Sequence, residues 1–176
     1  MIGFDDLAAA ERELPHLLRS LEGWNSLDVN YHPPRVERLW RPWGDGLRLF
    51  LHCIHPCKPE EALLHPHLWP SVMRVRGHGW YHMLVGSSPG LEVPPVVVET
   101  RVSVGNFGSY TYAMLHPDGW HAVVPHQSEA YSVMLTGTPW QRPTPQVTTE
   151  AAGKLGPLPL SRQHQLLQTF RDFYPS

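Results

Sequence analysis

The sequence predicts an all-β domain, a small barrel or sandwich, with a helix at each end. Three observations predict it. Eight short segments rich in β-branched or aromatic residues fill the middle of the chain. Nineteen prolines and 14 glycines bound those segments and interrupt any long helix. Helical periodicity is confined to the two termini. At 176 residues the chain can bury one core but is short for two full domains.

The elements follow in chain order. From Phe4 to Leu21 the apolar positions Leu7, Ala8, Leu14, Leu17, Leu18 and Leu21 suit an amphipathic helix, interrupted or bent near Pro15. "RVERLW", "LRLFLHCI", "SVMRVRG", "GWYHMLVG", "PVVVETRVSV", "SYTYAMLH", "HAVVP" and "AYSVMLTG" read as strands, each closed by Gly, Pro, Asp or Ser. Strands at this spacing with turns between them build sandwiches or barrels. Gly137 to Leu160, rich in Pro, Gly and Thr, reads as an ordered arm leading to the last helix. In that helix Ser161 suits the N-cap, and Leu166, Leu167, Phe170 and Phe173 share a face. The division is thus a helical extension over 1–30, the β-barrel over 31–140, and the arm with its helix packing on the barrel over 141–176.

Composition narrows the function. The formal charge is −2, from 14 basic and 16 acidic residues, with no Lys/Arg block, so nucleic acid is not the expected partner. No apolar run reaches the ~18 residues of a membrane helix. The acidic N-terminal stretch lacks the pattern of a secretory signal, which points to the cytoplasm and to reduced thiols at Cys53 and Cys57. A small molecule is the expected partner.

The chemistry lies in the histidines. In "HPHLWPSVMRVRGHGWYHMLVG" His65 and His67 are spaced to share one face of an extended segment, with Pro66 turned away. In a chain with 12 histidines such a pair also arises from composition alone. Further on, "HPDGWH" carries a Pro-x-Gly turn that delivers His121 to the start of another strand.

This order of motifs resembles the cupins. In that family a His-x-His opens a hairpin with a glycine turn, matched here by His65, His67, Gly77, Gly79 and Gly86. A later Pro-x-Gly turn then precedes a third histidine, matched by Pro117, Gly119 and His121. The resemblance covers roughly Arg41 to Thr136. It implies a metal site made of His65, His67 and His121 at the open end of a small barrel. Two departures stand out: the cupin glutamate ligand is replaced by Ser71 and Val72, and the second motif is one residue short. The first is similar to the all-histidine subset that includes thiol (cysteine dioxygenase-like) and diketone dioxygenases. Three neutral imidazoles leave about three positions open on an octahedral ion, which suits iron(II), with zinc, nickel, manganese and copper also open. Similarity to the thiol enzymes further implies a substrate carboxylate at Arg41. It fails where their catalytic histidine and tyrosine would fall, at Met134 and Thr136.

Other residues have two readings each. His52 reads as pocket-lining or core-edge, and His82 as pocket-facing or surface. Met73 and Val75 alternate toward the barrel interior, with Arg74 and Arg76 opposite. Substrate contact is therefore expected from Arg41, His52, Met73 and His82. The "LHCIHPC" cluster does not match structural zinc spacing, and His52 and Cys53 face opposite sides of a strand. Tyr81, Tyr110, Tyr112 and Trp120 read as core, and Glu99 as a strand carboxylate or a replacement ligand. The sequence reads as a metal-dependent oxygenase acting on a small chelating substrate. An oxygen-independent isomerase, lyase or hydrolase using His52 or His82 as base, and a non-catalytic ligand-binding cupin, are the alternatives. Barrel edges need cover, which a homodimer supplies.

Overall fold

The structure, a computed structural model, describes residues 2–77, 79–88, 93–105, 108–141 and 155–175. Among the described residues, ten antiparallel strands form two sheets between an N-terminal and a C-terminal helix. In chain order they are α1 (Phe4–Leu17), β1 (Asn25–Val29), β2 (Val36–Trp43), β3 (Leu47–Ile54), β4 (His65–Pro66), β5 (Ser71–Gly77), β6 (Gly79–Ser87), β7 (Val96–Gly105), β8 (Ser109–Met114), β9 (Gly119–Pro125), β10 (Ala130–Thr136) and α2 (Leu160–Phe173). The larger sheet runs β1-β2-β3-β10-β5-β8, and the smaller β4-β9-β6-β7. All eight segments read as strands from sequence are strands. β1 and β4 are additional: each is short and becomes a strand only through its partner, β2 and β9 respectively. β1 lies within the stretch read as a helical extension.

The larger sheet is covered on both faces. Leu39, Leu49, Leu51, Cys53, Val72, Val133 and Leu135 point to the helices, where they meet Leu7, Ala10 and Leu14 of α1 and Leu166, Leu167 and Phe170 of α2. Phe50, Ile54, Met73, Val75, Ala130 and Met134 point the other way, toward Met83 and Val123 of the smaller sheet. This explains why "LRLFLHCI" is apolar almost throughout: alternation puts half of its side chains in each of two cores. The β2–β3 hairpin turns through Gly44 and Gly46, at φ +57° and +74°. Nothing lies within 4 Å of a Cβ built at either, so backbone conformation and not crowding selects glycine there.

The helix ends differ slightly from expectation. α1 starts with the Gly3 N–H donating to the Asp6 carboxylate at 2.8 Å, and it continues through Pro15 to Leu17. Pro15 falls in the last turn, where little helix remains to lose its hydrogen bonds. Its buried face is Leu7, Ala10 and Leu14, one helical stripe. α2 starts a residue before Ser161, and Pro159 sits at the N-cap. The Pro159 carbonyl accepts from the Arg162 and Gln163 N–H groups, so a serine cap is not used. Arg162 then reaches the sheet: its Nε donates to Glu37 Oε2 at 2.8 Å, while Glu37 is only 2% exposed and is also paired with Arg35 and His55.

Cys53 sits beside this cluster with Arg162 Nη2 3.7 Å from its sulfur, and burial pushes its thiol up to about 12. Cys53 and Cys57 are free thiols. Most of the proline-rich arm, residues 142–154, lies outside the described residues, as do His78 of the hairpin turn and the side chains of Tyr81 and Glu99. Among the described residues no helix is long and apolar enough to cross a membrane.

Phe170 is 1% exposed and edge-on to the Tyr131 ring at 6.0 Å, at the centre of the α2 contact. Phe170→Ala is expected to destabilise the fold by about 3–5 kcal/mol. Urea unfolding followed by tryptophan fluorescence measures this, and a loss under ~1 kcal/mol would show that α2 is not part of the main core.

Candidate metal centre

Cross-strand register assembles the centre. β4 pairs with β9 so that His65 lies directly opposite His121, and side chains at paired positions project to the same side of a sheet. His67, two residues on, returns to that side. The rings meet with centroids 4.8 Å apart for His65 and His121, 4.5 Å for His67 and His121, and 5.6 Å for His65 and His67. One nitrogen from each ring lies within 4.8 Å of the other two.

The outer nitrogens are all engaged. His65 Nδ1–H donates to the Leu63 carbonyl at 3.2 Å, which leaves its Nε2 as the lone-pair atom. His67 Nδ1 lies 2.8 Å from Ser71 Oγ, and His121 Nδ1 lies 2.7 Å from the Tyr112 hydroxyl. Nε2 of His67 and Nε2 of His121 are 2.9 Å apart. Two nitrogens each about 2.1 Å from a common ion and at a right angle would be about 3 Å apart. The pair therefore fits adjacent positions on one ion, and oriented outer nitrogens are the usual support of metal-binding histidines.

Electrostatics favours neutral rings. Burial lowers His65 to about 4, from an ordinary 6.5, and holds His67 and His121 well below their usual range, with the neighbouring histidines adding to the effect. Each therefore offers a lone pair at neutral pH without first losing a proton.

Beside the triad lies an open cavity lined chiefly by Val36, Ile54, Val123 and Met134 on its apolar side and by Arg38 and His52 on its polar side. Arg38, His52 and Ser132 stand opposite one another on β2, β3 and β10. Arg38 Nε–H donates to His52 Nε2 at 3.1 Å, so His52 Nδ1–H donates to Ser132 Oγ at 2.9 Å. Burial and the adjacent Arg38 charge hold His52 neutral. Arg38 is lowered to about 10 by burial, with only Tyr31 acting against it.

The sequence-derived substrate residues divide. His52 reaches the cavity. Met73 faces the barrel interior but packs in its apolar core, away from the cavity wall. His82 lies on the opposite face of β6 from Met83 and Val85, with its ring 4.5 Å from that of His126. Arg41 is not brought to the site: it stacks on Trp24, 5.4 Å from the ring, on the helix-facing side. Three residues separate it from Arg38, and an odd spacing along a strand reverses the face. Arg38, Ser71, Tyr112 and Ser132 were missed as site residues. The Val36–Arg38–Trp40 alternation was the available signal for Arg38. No local pattern marks the other three, whose roles depend on register.

A second group, Glu37, Cys53 and His55, also brings potential ligand atoms within 4.8 Å of one another. There the Glu37 carboxylate already holds Arg162, and the raised Cys53 thiol disfavours the thiolate that a metal needs. It is better described as the ion-pair anchor of α2.

No protein-family profile and no curated protein matches the sequence. Among solved structures, the chain is similar to hydroxypropylphosphonic acid epoxidase from S. wedmorenis, at 14% identity and TM-score 0.46, over 67% of this chain and 57% of that one. A cobalt(II) form of that epoxidase in complex with substrate matches at 13% identity and TM-score 0.41, over 57% of this chain and 51% of that one. An RmlC-like cupin from Shewanella frigidimarina NCIMB 400 matches at 14% identity and TM-score 0.43, over 69% and 88%. The chain spans little more than half the length of the epoxidase it matches. The fold is an antiparallel β-sandwich of two sheets with a helix at each end.

The depressed histidines have a consequence for stability. Unfolding returns them to about 6.5, so below that pH the unfolded chain binds more protons than the folded one. The metal-free protein is expected to lose stability progressively as pH falls from about 6.5 toward 4. Chemical denaturation at a series of pH values tests this. His67→Gln and His121→Gln should each flatten the slope, and a slope unchanged by both would contradict the burial of neutral rings.

Proposed function

We propose that the chain is a metal-dependent cupin-type enzyme, with His65, His67 and His121 as the protein ligands of a single divalent transition metal and iron(II) as the favoured ion. The carrying observation is the convergence of three neutral imidazoles with their outer nitrogens engaged and two inner nitrogens 2.9 Å apart. The donor set is all nitrogen and neutral, which suits iron, zinc, nickel, manganese or copper better than calcium or magnesium. When bound, iron(II) would supply Lewis acidity and a route for dioxygen chemistry on a chelating substrate.

The chain's own contribution is positioning. Ser71, Tyr112 and the Leu63 carbonyl orient the three rings, and Val36, Ile54, Val123 and Met134 give the substrate a largely apolar wall. An oxidoreductase of dioxygenase type is favoured over an oxygen-independent isomerase, lyase or hydrolase for one reason. The latter needs a general base, and His52 has its Nε2 lone pair committed to Arg38 while His82 faces His126. A binding protein without turnover remains the alternative if no substrate is oxidised.

The test is metal content of protein prepared without a histidine tag. Near-stoichiometric iron is expected in the wild type, with loss of at least about tenfold in affinity in His67→Ala and His121→Ala. Tyr112→Phe should keep the metal but weaken it, within about tenfold to hundredfold, through His121 orientation. Wild-type protein that takes up no divalent ion on reconstitution would overturn the proposal. Oxygen consumption with iron-loaded protein separates the oxygenase from the other readings.

A further inference from the structure

The two sheets have four edge strands, β1 and β8 in the larger and β4 and β7 in the smaller. Three of them are covered, short or largely buried. The end of the arm covers β1: the Asp28 N–H donates to the Gly156 carbonyl at 2.8 Å, and the Leu158 N–H donates to Ser26 Oγ at 3.1 Å. β4 is two residues long and one of them is proline, which has no N–H to offer. In β8 only Ser109 is exposed.

β7 is different. It runs for ten residues, with β6 on one side and, among the described residues, no strand on the other. Such an edge carries a row of backbone N–H and C=O groups open to another chain. Neither lysine nor proline, the residues that commonly guard an edge, falls within it. Val96, Val97 and Val98 are 69%, 46% and 66% exposed, and Val93 just before them is 47% exposed. Val96 and Val97 are consecutive in a strand and so point to opposite faces, which puts exposed apolar surface on both sides of it.

The sequence of β7 identifies what fits this edge. Counted outward from Thr100 in both directions, Glu99 mirrors Arg101, Val98 mirrors Val102, Val97 mirrors Ser103 and Val96 mirrors Val104. A strand laid antiparallel against a copy of itself, Thr100 opposite Thr100, therefore sets acid opposite base and valine opposite valine on both sides of the axis. Opposite charges directly across two strands stabilise their pairing, and like charges weaken it. The mirror order is what a two-fold interface requires, because residue i meets j where j meets i. The ladder between β7 and β6 is regular from Glu99 to Gly105 and shifts register at Val98, so the charged positions lie in the regular part.

We infer that β7 pairs antiparallel with β7 of a second copy of this chain, across a two-fold axis at Thr100, and so joins the two smaller sheets into one. A copy of the chain supplies the reversed charge order automatically, and its own valines cover those of the first. The interface is independent of the metal centre and holds whether or not an ion is bound.

The test is the mass of the full chain in solution, by sedimentation velocity over a wide range of concentration. Wild type is expected as a dimer. Arg101→Glu brings acid opposite acid and Glu99→Arg brings base opposite base, so each variant alone should dimerise about tenfold or more weakly. The double variant Glu99→Arg/Arg101→Glu exchanges the signs and should dimerise like wild type. An equimolar mixture of the two single variants should form a heterodimer, because one chain then presents bases where the other presents acids. Recovery in the mixture also distinguishes weakened pairing from a lost fold. Val98→Lys, at an exposed position outside the charged pairs, should weaken the dimer as well. Backbone amide exchange over residues 96–104 should be slower in the wild-type dimer than in the single variants, which places the contact on β7.

Wild type that stays a single chain at every concentration would overturn the inference. So would single variants and Val98→Lys that dimerise as tightly as wild type, or a mixture of folded single variants that stays monomeric. Growth into open chains of increasing length would show a head-to-tail contact and overturn the two-fold pairing.

Discussion

The two-residue alternation of the larger sheet is the constraint on which the rest of the molecule depends. Because β2, β3, β5 and β10 are buried on both faces, each of their side chains is committed to one of two interiors. One interior seals the sheet against α1 and α2 and gives the fold most of its apolar burial. The other lies between the sheets and holds the cavity. A one-residue slip would exchange the two sets, placing Leu51 and Val133 in the cavity and His52 and Ser132 beneath the helices. The apolar sealing face thus enforces the register that aligns Arg38, His52 and Ser132.

Polar groups are distributed between the two interiors in different ways. On the helix side, Glu37 is buried but surrounded by Arg162, Arg35 and His55, so its charge is balanced within the chain. Its carboxyl is held below the ordinary range by Arg162 and His55, against the opposing effect of burial. On the cavity side, no carboxylate among the described residues pairs with Arg38, and four histidines are kept neutral.

The aromatic residues connect these roles. Trp40, Phe50 and Trp69 stack in a row, with centroids 6.3 and 6.4 Å apart, and Phe50 lies under both Arg38 and His52. Tyr112 belongs at once to the inter-sheet core and, through its hydroxyl, to His121. Its ring contributes packing while its oxygen orients a candidate ligand, so reading it as core described only half of it.

The sequence by itself determined the strands, the helices and the histidines, because each of these is written locally. β-branched runs between turn residues make strands, an i, i+3, i+4 stripe makes a helix, and His-x-His places two rings on one side of an extended chain. It could not determine β1 and β4, which are too short to form without a partner. Nor could it distinguish Arg38 from Arg41, because a face is defined only once the sheet has two covered sides. Ser71, Tyr112 and Ser132 became site residues through pairing between strands far apart in sequence. Tertiary structure decided them, since a hydrogen bond between side chains on separate strands depends on register, and register is set by how the whole sheet buries its apolar faces.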